Sequence, residues 1–213
     1  MGKGASPFIA SFLCFASIAS AAPITYDVTV DTSSISGTAG SLDFNFNPGP
    51  LVTQSASLQI LNFTSNGALA GIPTSIGDVA GTLPATLSFD NGTAFNDYFE
   101  GFTYGSTLSF QLSLFGPALS SPDGTSTSGS IFAFSMFSDS LGAVPVLTTD
   151  TTNGFAFTIN VNLDGSTTIT NSSAQTTVVP ATGPPAVPEP GTLPLMAAGI
   201  GLWLAFRFRL QRR

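Results

Sequence analysis

The sequence predicts an all-β body, an antiparallel, jelly-roll-like β-sandwich, carried between two terminal targeting segments. Three observations lead there. Apolar and polar residues alternate with period two from Ala22 to about Ser173. Gly, Asn, Asp and Pro punctuate the gaps between the alternating runs, and no stretch of the body keeps an i, i+3, i+4 pattern for three turns. Period two puts one apolar set on one face of a half-buried strand. Many such strands bury their faces by stacking as two sheets, and their spacing suggests about eight to ten of them.

Each run has its own stripe. Ile24, Tyr26, Val28 and Val30 alternate with Thr25, Asp27 and Thr29; Leu42, Phe44 and Phe46 alternate with Asp43 and Asn45. Leu58 and Ile60, then Leu83, Ala85, Leu87 and Phe89, continue the theme, followed by Leu108, Phe110, Leu112 and Leu114. Ile131 to Phe137 is almost continuously apolar, as expected of a strand buried on both faces. Phe155, Phe157, Ile159, Val161 and Leu163 form the clearest stripe, and the Asp164-Gly165 that follows has the form of a two-residue hairpin turn.

Charge narrows the chemistry. The chain has 213 residues, 12 acidic and 5 basic, with no histidine. The basic residues are Lys3, Arg207, Arg209, Arg212 and Arg213, so the body carries every acid except Glu189 and no cation. Phosphate cannot be neutralised by such a surface, which excludes nucleic acid as a partner. Without His, Lys, Arg or Cys, the body cannot build a Ser-His-Asp or Cys-His site, a Schiff base or a His/Cys zinc centre, and no cofactor is expected.

The two ends read as targeting segments. Lys3, the apolar run Phe8–Ile18 and the small residues Ala19 and Ala21 before Ala22 have the order of a secretory signal peptide, residues 1–21. The exported domain is expected over 22–174. A Pro-rich spacer, 175–190, precedes a C-terminal segment, 191–213, whose apolar run Leu193–Phe206 ends in arginines. Those 14 residues span about 21 Å as a helix, and continuing to Leu210 with snorkelling arginines gives about 27 Å, a short transmembrane helix. The arginine cluster, Arg207, Arg209, Arg212 and Arg213, should stay cytoplasmic and leave the body on the far side.

Val187-Pro188-Glu189-Pro190, then the apolar run, then the terminal arginines, resembles the PEP-CTERM sorting signal of Gram-negative bacteria. Gly191 stands where Ser or Ala is usual. The resemblance covers about the last 27 residues and is silent about the body. It implies export by the secretion machinery, transient residence in the inner membrane, and processing by an exosortase-like membrane enzyme that delivers the body to the cell surface or medium. Extracellular polysaccharide is the surrounding it implies.

Within the body, carboxylates are the one chemistry left. Asp90, Asp97 and Glu100, with Asn91, Thr93 and Asn96 around a glycine turn, group oxygen donors of the kind calcium takes, although Asx-rich turns group them too. Asp97 and Glu100, beside Asp90, are also the acid and base a carboxylate-based glycoside hydrolase would need. Tyr98 and Tyr104 could form a platform for sugar rings or pack in the core; Asn62, Asn91 and Asn171 head glycosylation-like triplets. The leading expectation is a non-enzymatic exported surface or matrix protein. A polysaccharide- or calcium-binding module is the alternative, and a glycosidase the remote one.

Overall fold

The computed structural model describes residues 22–182. The signal segment with Ala19 and Ala21, the motif Val187–Pro190, the apolar run and the arginine tail lie outside the described residues. Among the described residues no helix is long and apolar enough to cross a membrane.

Thirteen strands are present among these residues: β1 Ile24–Asp31, β2 Ala39–Pro48, β3 Ser57–Ser65, β4 Ala68–Leu69, β5 Thr74–Ile76, β6 Val79–Ala80, β7 Leu87–Asp90, β8 Asp97–Thr103, β9 Thr107–Phe115, β10 Ser130–Phe137, β11 Phe155–Val161, β12 Thr167–Asn171 and β13 Thr176–Pro180. Ten have four or more residues, and the expected eight to ten omits only the two- and three-residue pieces. The only α-helical turn among them is α1, Pro117–Ser120. One sheet runs β13-β1-β9-β3-β7-β6 and the other β12-β11-β10-β2-β8-β4, with β5 also on β8; every pairing is antiparallel. From β1 to β3 and from β7 to β10 each successive strand changes sheet. The inner faces are therefore assembled from residues far apart in sequence.

Phenylalanine fills the interlayer. Phe44 of β2 meets Phe110 of the opposite sheet edge-to-face at 5.4 Å and Phe134 of neighbouring β10 at 4.9 Å. Phe134 continues to Phe157 at 5.8 Å. All these rings are buried. Aromatic pairs at such separations add to the stabilisation that comes from area alone. The period-two reading of the Phe44 and Phe157 stripes is what places them there.

Three local features depart from strict alternation. At Asn62, whose φ is +54°, the β3–β9 register shifts between Leu61 and Thr64, and this bulge turns Phe63 into the core. β10 is buried on both faces: Phe132, Phe134 and Met136 face the interlayer, while Ala133 and Ser135 are covered on the other side. The Asp164-Gly165 turn is a three-residue loop rather than the expected two-residue one. Gly165 N–H donates to Asn162 O at 3.0 Å, Asn162 N–H to Ser166 O at 2.8 Å, and Gly165 sits at φ +80°. A type I turn closed by a left-handed glycine is the usual three-residue hairpin.

The folded body also runs further than expected. Thr176–Pro180, read from sequence as the start of the spacer, pairs along β1 from Val30↔Thr176 to Tyr26↔Pro180. Val178 packs against the core. The Thr-Thr-Val-Val run is strand chemistry, and the proline that ends it sits on a sheet edge, where the missing N–H costs little.

Candidate functional site

The acids singled out in the sequence do not converge. Asp90 ends β7 in the six-stranded sheet and accepts from the Ser57 hydroxyl. Asp97 and Glu100 both lie on β8 but, three residues apart in a strand, point to opposite faces. Glu100 is buried, accepting from the Tyr98 hydroxyl at 2.5 Å and from Gly71 N–H at 2.9 Å. Tyr98 in turn accepts from Leu83 N–H at 3.1 Å, so this network ties the β4–β7 segment to β8. Among the described residues no three His, Cys, Asp or Glu side chains stand where they could share a metal ion.

The neutral oxygen donors of that loop are already engaged. Asn91 accepts from Ala56 N–H and donates to Gln54 O at 2.9 Å and to the Ser130 hydroxyl at 2.8 Å. Asn96, fully buried, donates to Phe46 O at 2.9 Å and accepts from Asp78 N–H at 2.7 Å and from the Thr93 hydroxyl. The calcium set Asp90, Asp97 and Glu100 and the acid–base pair Asp97 and Glu100 are both corrected by this geometry. The Asx-rich loop is a pin between the sheets. Tyr98 and Tyr104 are buried, Tyr104 donating to Ser41 O at 2.8 Å, so neither offers a ring to a ligand.

A carboxyl pair does form, between residues the sequence did not couple. Asn45 of β2 stands opposite Asp97 of β8, and Asp43, two residues along β2, shares their outward face. Asp97 lies within hydrogen-bonding reach of Asp43. Burial, then the adjacent Asp97 carboxyl, pushes Asp43 up to about 9, against an Asn45 amide N–H that donates to it at 2.7 Å. The pair lies in a depression of about 280 Å³ on the outer face of the seven-stranded sheet, where Asn47, Phe95 and Phe155 also line the wall. The sequence signal for it was Asp43, Asn45 and Asn47 on one strand's polar face. The register that brings Asp97 across could not be read from it.

Most other acids serve turns. The Ser33 hydroxyl holds Asp31 below the usual carboxylate range, the Ser126 N–H holds Asp123, the Asn153 N–H holds Asp150 and the Ser166 hydroxyl holds Asp164. Aspartate that accepts from the backbone two or three residues on needs no cation. This is how a body without Lys, Arg or His carries so many acids.

The molecule is thus an antiparallel β-sandwich whose sequence continues into a short C-terminal targeting element. Residues 186–213 match the family model described as the PEP-CTERM protein-sorting motif, and the resemblance carried by Val187–Pro190, the apolar run and the arginines is borne out. The motif implies an exported protein directed to an exosortase. No curated protein and no solved structure matches the chain.

Proposed function

We propose that this chain is a non-enzymatic exported protein whose β-sandwich is delivered to the cell surface or extracellular matrix. The observation that carries the reading is the match of residues 186–213 to the sorting motif. In this reading the signal peptide, cut after Ala21, starts translocation. The Leu193–Phe206 helix then halts it, with Arg207, Arg209, Arg212 and Arg213 kept in the cytoplasm by the positive-inside bias. An exosortase-like enzyme recognises Val187–Pro190, with Glu189 as a recognition group, and separates the body from the membrane segment. The absence of His, Lys, Arg and Cys from the body supports a cargo role over an enzymatic one.

Intact mass spectrometry of the protein recovered from the cell surface and medium tests this. The expected mature chain begins at Ala22 and lacks the arginine tail, and the double variant Pro188→Ala, Glu189→Ala accumulates uncut in the membrane. A surface-recovered chain that retains Arg213 would reduce the element to a permanent anchor.

A further inference from the structure

The outer face of the seven-stranded sheet carries a groove that the sorting reading does not use. The depression of about 280 Å³ at Asp43 and Asp97 adjoins a second of about 460 Å³, and Ile131 of β10 lines both. Together they reach the size of small-molecule sites, about 300–1,000 Å³. The second is bordered by Asn160 and the half-exposed Leu163. This face crosses the three central strands β2, β10 and β11, which are hydrogen-bonded on both sides and therefore rigid.

The polar groups in the groove are incompletely used. Asn45 is nine-tenths buried, and its amide N–H donates to Asp43, but its Oδ1 has no partner among the described residues. That oxygen is open to solvent, so a ligand donor would take the place of water there. The Asp43–Asp97 pair, in which burial and the neighbouring carboxyl favour the protonated form of Asp43, presents a donor and acceptors side by side. Beside these groups Phe95 is 50% exposed and Phe155 is half-buried, both on the wall of the groove.

Charge and geometry then select the ligand class. With no Lys, Arg or His between residues 22 and 182, nothing in the groove can pair an anionic group. A bare cation is also poorly served. The β2 carbonyls are committed to ladders with β8 and β10, Asn47 Oδ1 already accepts from Asn96 N–H at 2.6 Å, and the space far exceeds one ion. Calcium takes about six to eight oxygens. What fits is a molecule with many hydroxyls, each donor and acceptor at once, and with apolar C–H faces for the aromatic walls. We infer that this groove binds a short neutral oligosaccharide, with Asp43, Asp97 and Asn45 hydrogen-bonding its hydroxyls and Phe95 and Phe155 packing on its rings. The inference does not depend on how the chain is sorted.

The test uses the full chain in a detergent without a sugar headgroup. Cellotriose, maltotriose, laminaritriose and mannotriose are the neutral probes, trigalacturonic acid the anionic one, and calcium chloride the cation. Saturation-transfer NMR and calorimetry read binding. At least one neutral trisaccharide is expected to bind and the anionic one not to. Asn45→Ala and Phe155→Ala should each weaken binding at least tenfold, while Asp27→Asn, on the outer face of the other sheet, leaves it unchanged. Binding to the unmutated chain should also weaken as pH rises past about 9 and Asp43 loses its proton, a readout that needs no variant. Absence of binding by all four neutral probes, or equal binding by the Asn45 and Phe155 variants in folded form, would overturn the proposal. Calcium alone raising the melting temperature of the unmutated chain but not of Asp97→Ala would overturn it in favour of a cation site.

Discussion

Replacing Asp43 with Asn should remove most of the protein's pH dependence of stability near neutrality. Asp43 is raised from 3.8 to about 9 in the fold, so the folded state holds a proton that the unfolded chain has released. The stabilisation is complete below the ordinary carboxylate range and is lost progressively as pH climbs toward 9. One proton corresponds to a slope of about 1.4 kcal/mol per pH unit. Across the three units from about pH 5.5 to about pH 8.5, stability should fall by about 4 kcal/mol, a large part of the roughly 5–15 kcal/mol of an ordinary domain. The window is unusually clean. The chain has no histidine, and burial pushes the phenols of Tyr98 and Tyr104 up, away from it. Asn at position 43 keeps an acceptor for Asn45 and supplies an N–H toward Asp97 without a titrating proton. Urea unfolding at pH 5.5, 7 and 8.5 reads the effect. A flat unmutated profile, or an Asp43→Asn profile that keeps the slope, would refute the assignment of the retained proton to Asp43.

The remaining predictions concern packing and charge. Phe44→Ala opens a cavity between Phe110, Phe134 and Tyr98 and should cost about 3–5 kcal/mol in urea unfolding. Gly165→Ala strains a backbone at φ +80° and brings a methyl to 2.9 Å from Leu119 O, so it should cost more than about 1 kcal/mol. Raising sodium chloride from about 20 mM to about 500 mM should raise the melting temperature, because the described body has acids and no cations and its long-range electrostatics is repulsion that salt screens. A fall in melting temperature would mean that specific attractive charge contacts are being screened instead.

Burial direction within the longer strands was legible because it is a period-two property: Phe44 and Phe46, or Phe157 and Ile159, declare their face from neighbours in the chain. Where the period breaks, legibility fails. Phe63 reaches the core only because Asn62 adopts a left-handed bulge, and nothing in Leu61-Asn62-Phe63 announces it. The site failed for a related reason. Asp97 and Glu100 lie close in sequence, yet strand pleating separates them, whereas Asp43 and Asp97 lie 54 positions apart and the β2–β8 register joins them. Proximity along the chain is a poor guide in a sandwich whose successive strands change sheet. The turn aspartates, by contrast, act within two or three residues, and their role could be read from Asp-x-Ser and Asp-x-x-Ser spacing.

The end of the folded body bears on how such a protein can be processed. Had the sandwich needed residues near Pro188 for its edge, a cut at the motif would have exposed an unpaired strand, the surface most prone to pairing with other chains. Instead β13 completes its pairing with β1 at Pro180, and the matched segment begins at residue 186. Any cut within the motif therefore leaves every ladder among the described residues intact. The short connection holds Pro184 and Pro185, and prolines resist joining a sheet. A domain whose described ladders all end before the recognised peptide keeps those ladders when the peptide is cut, the physical requirement for a removable C-terminal sorting segment.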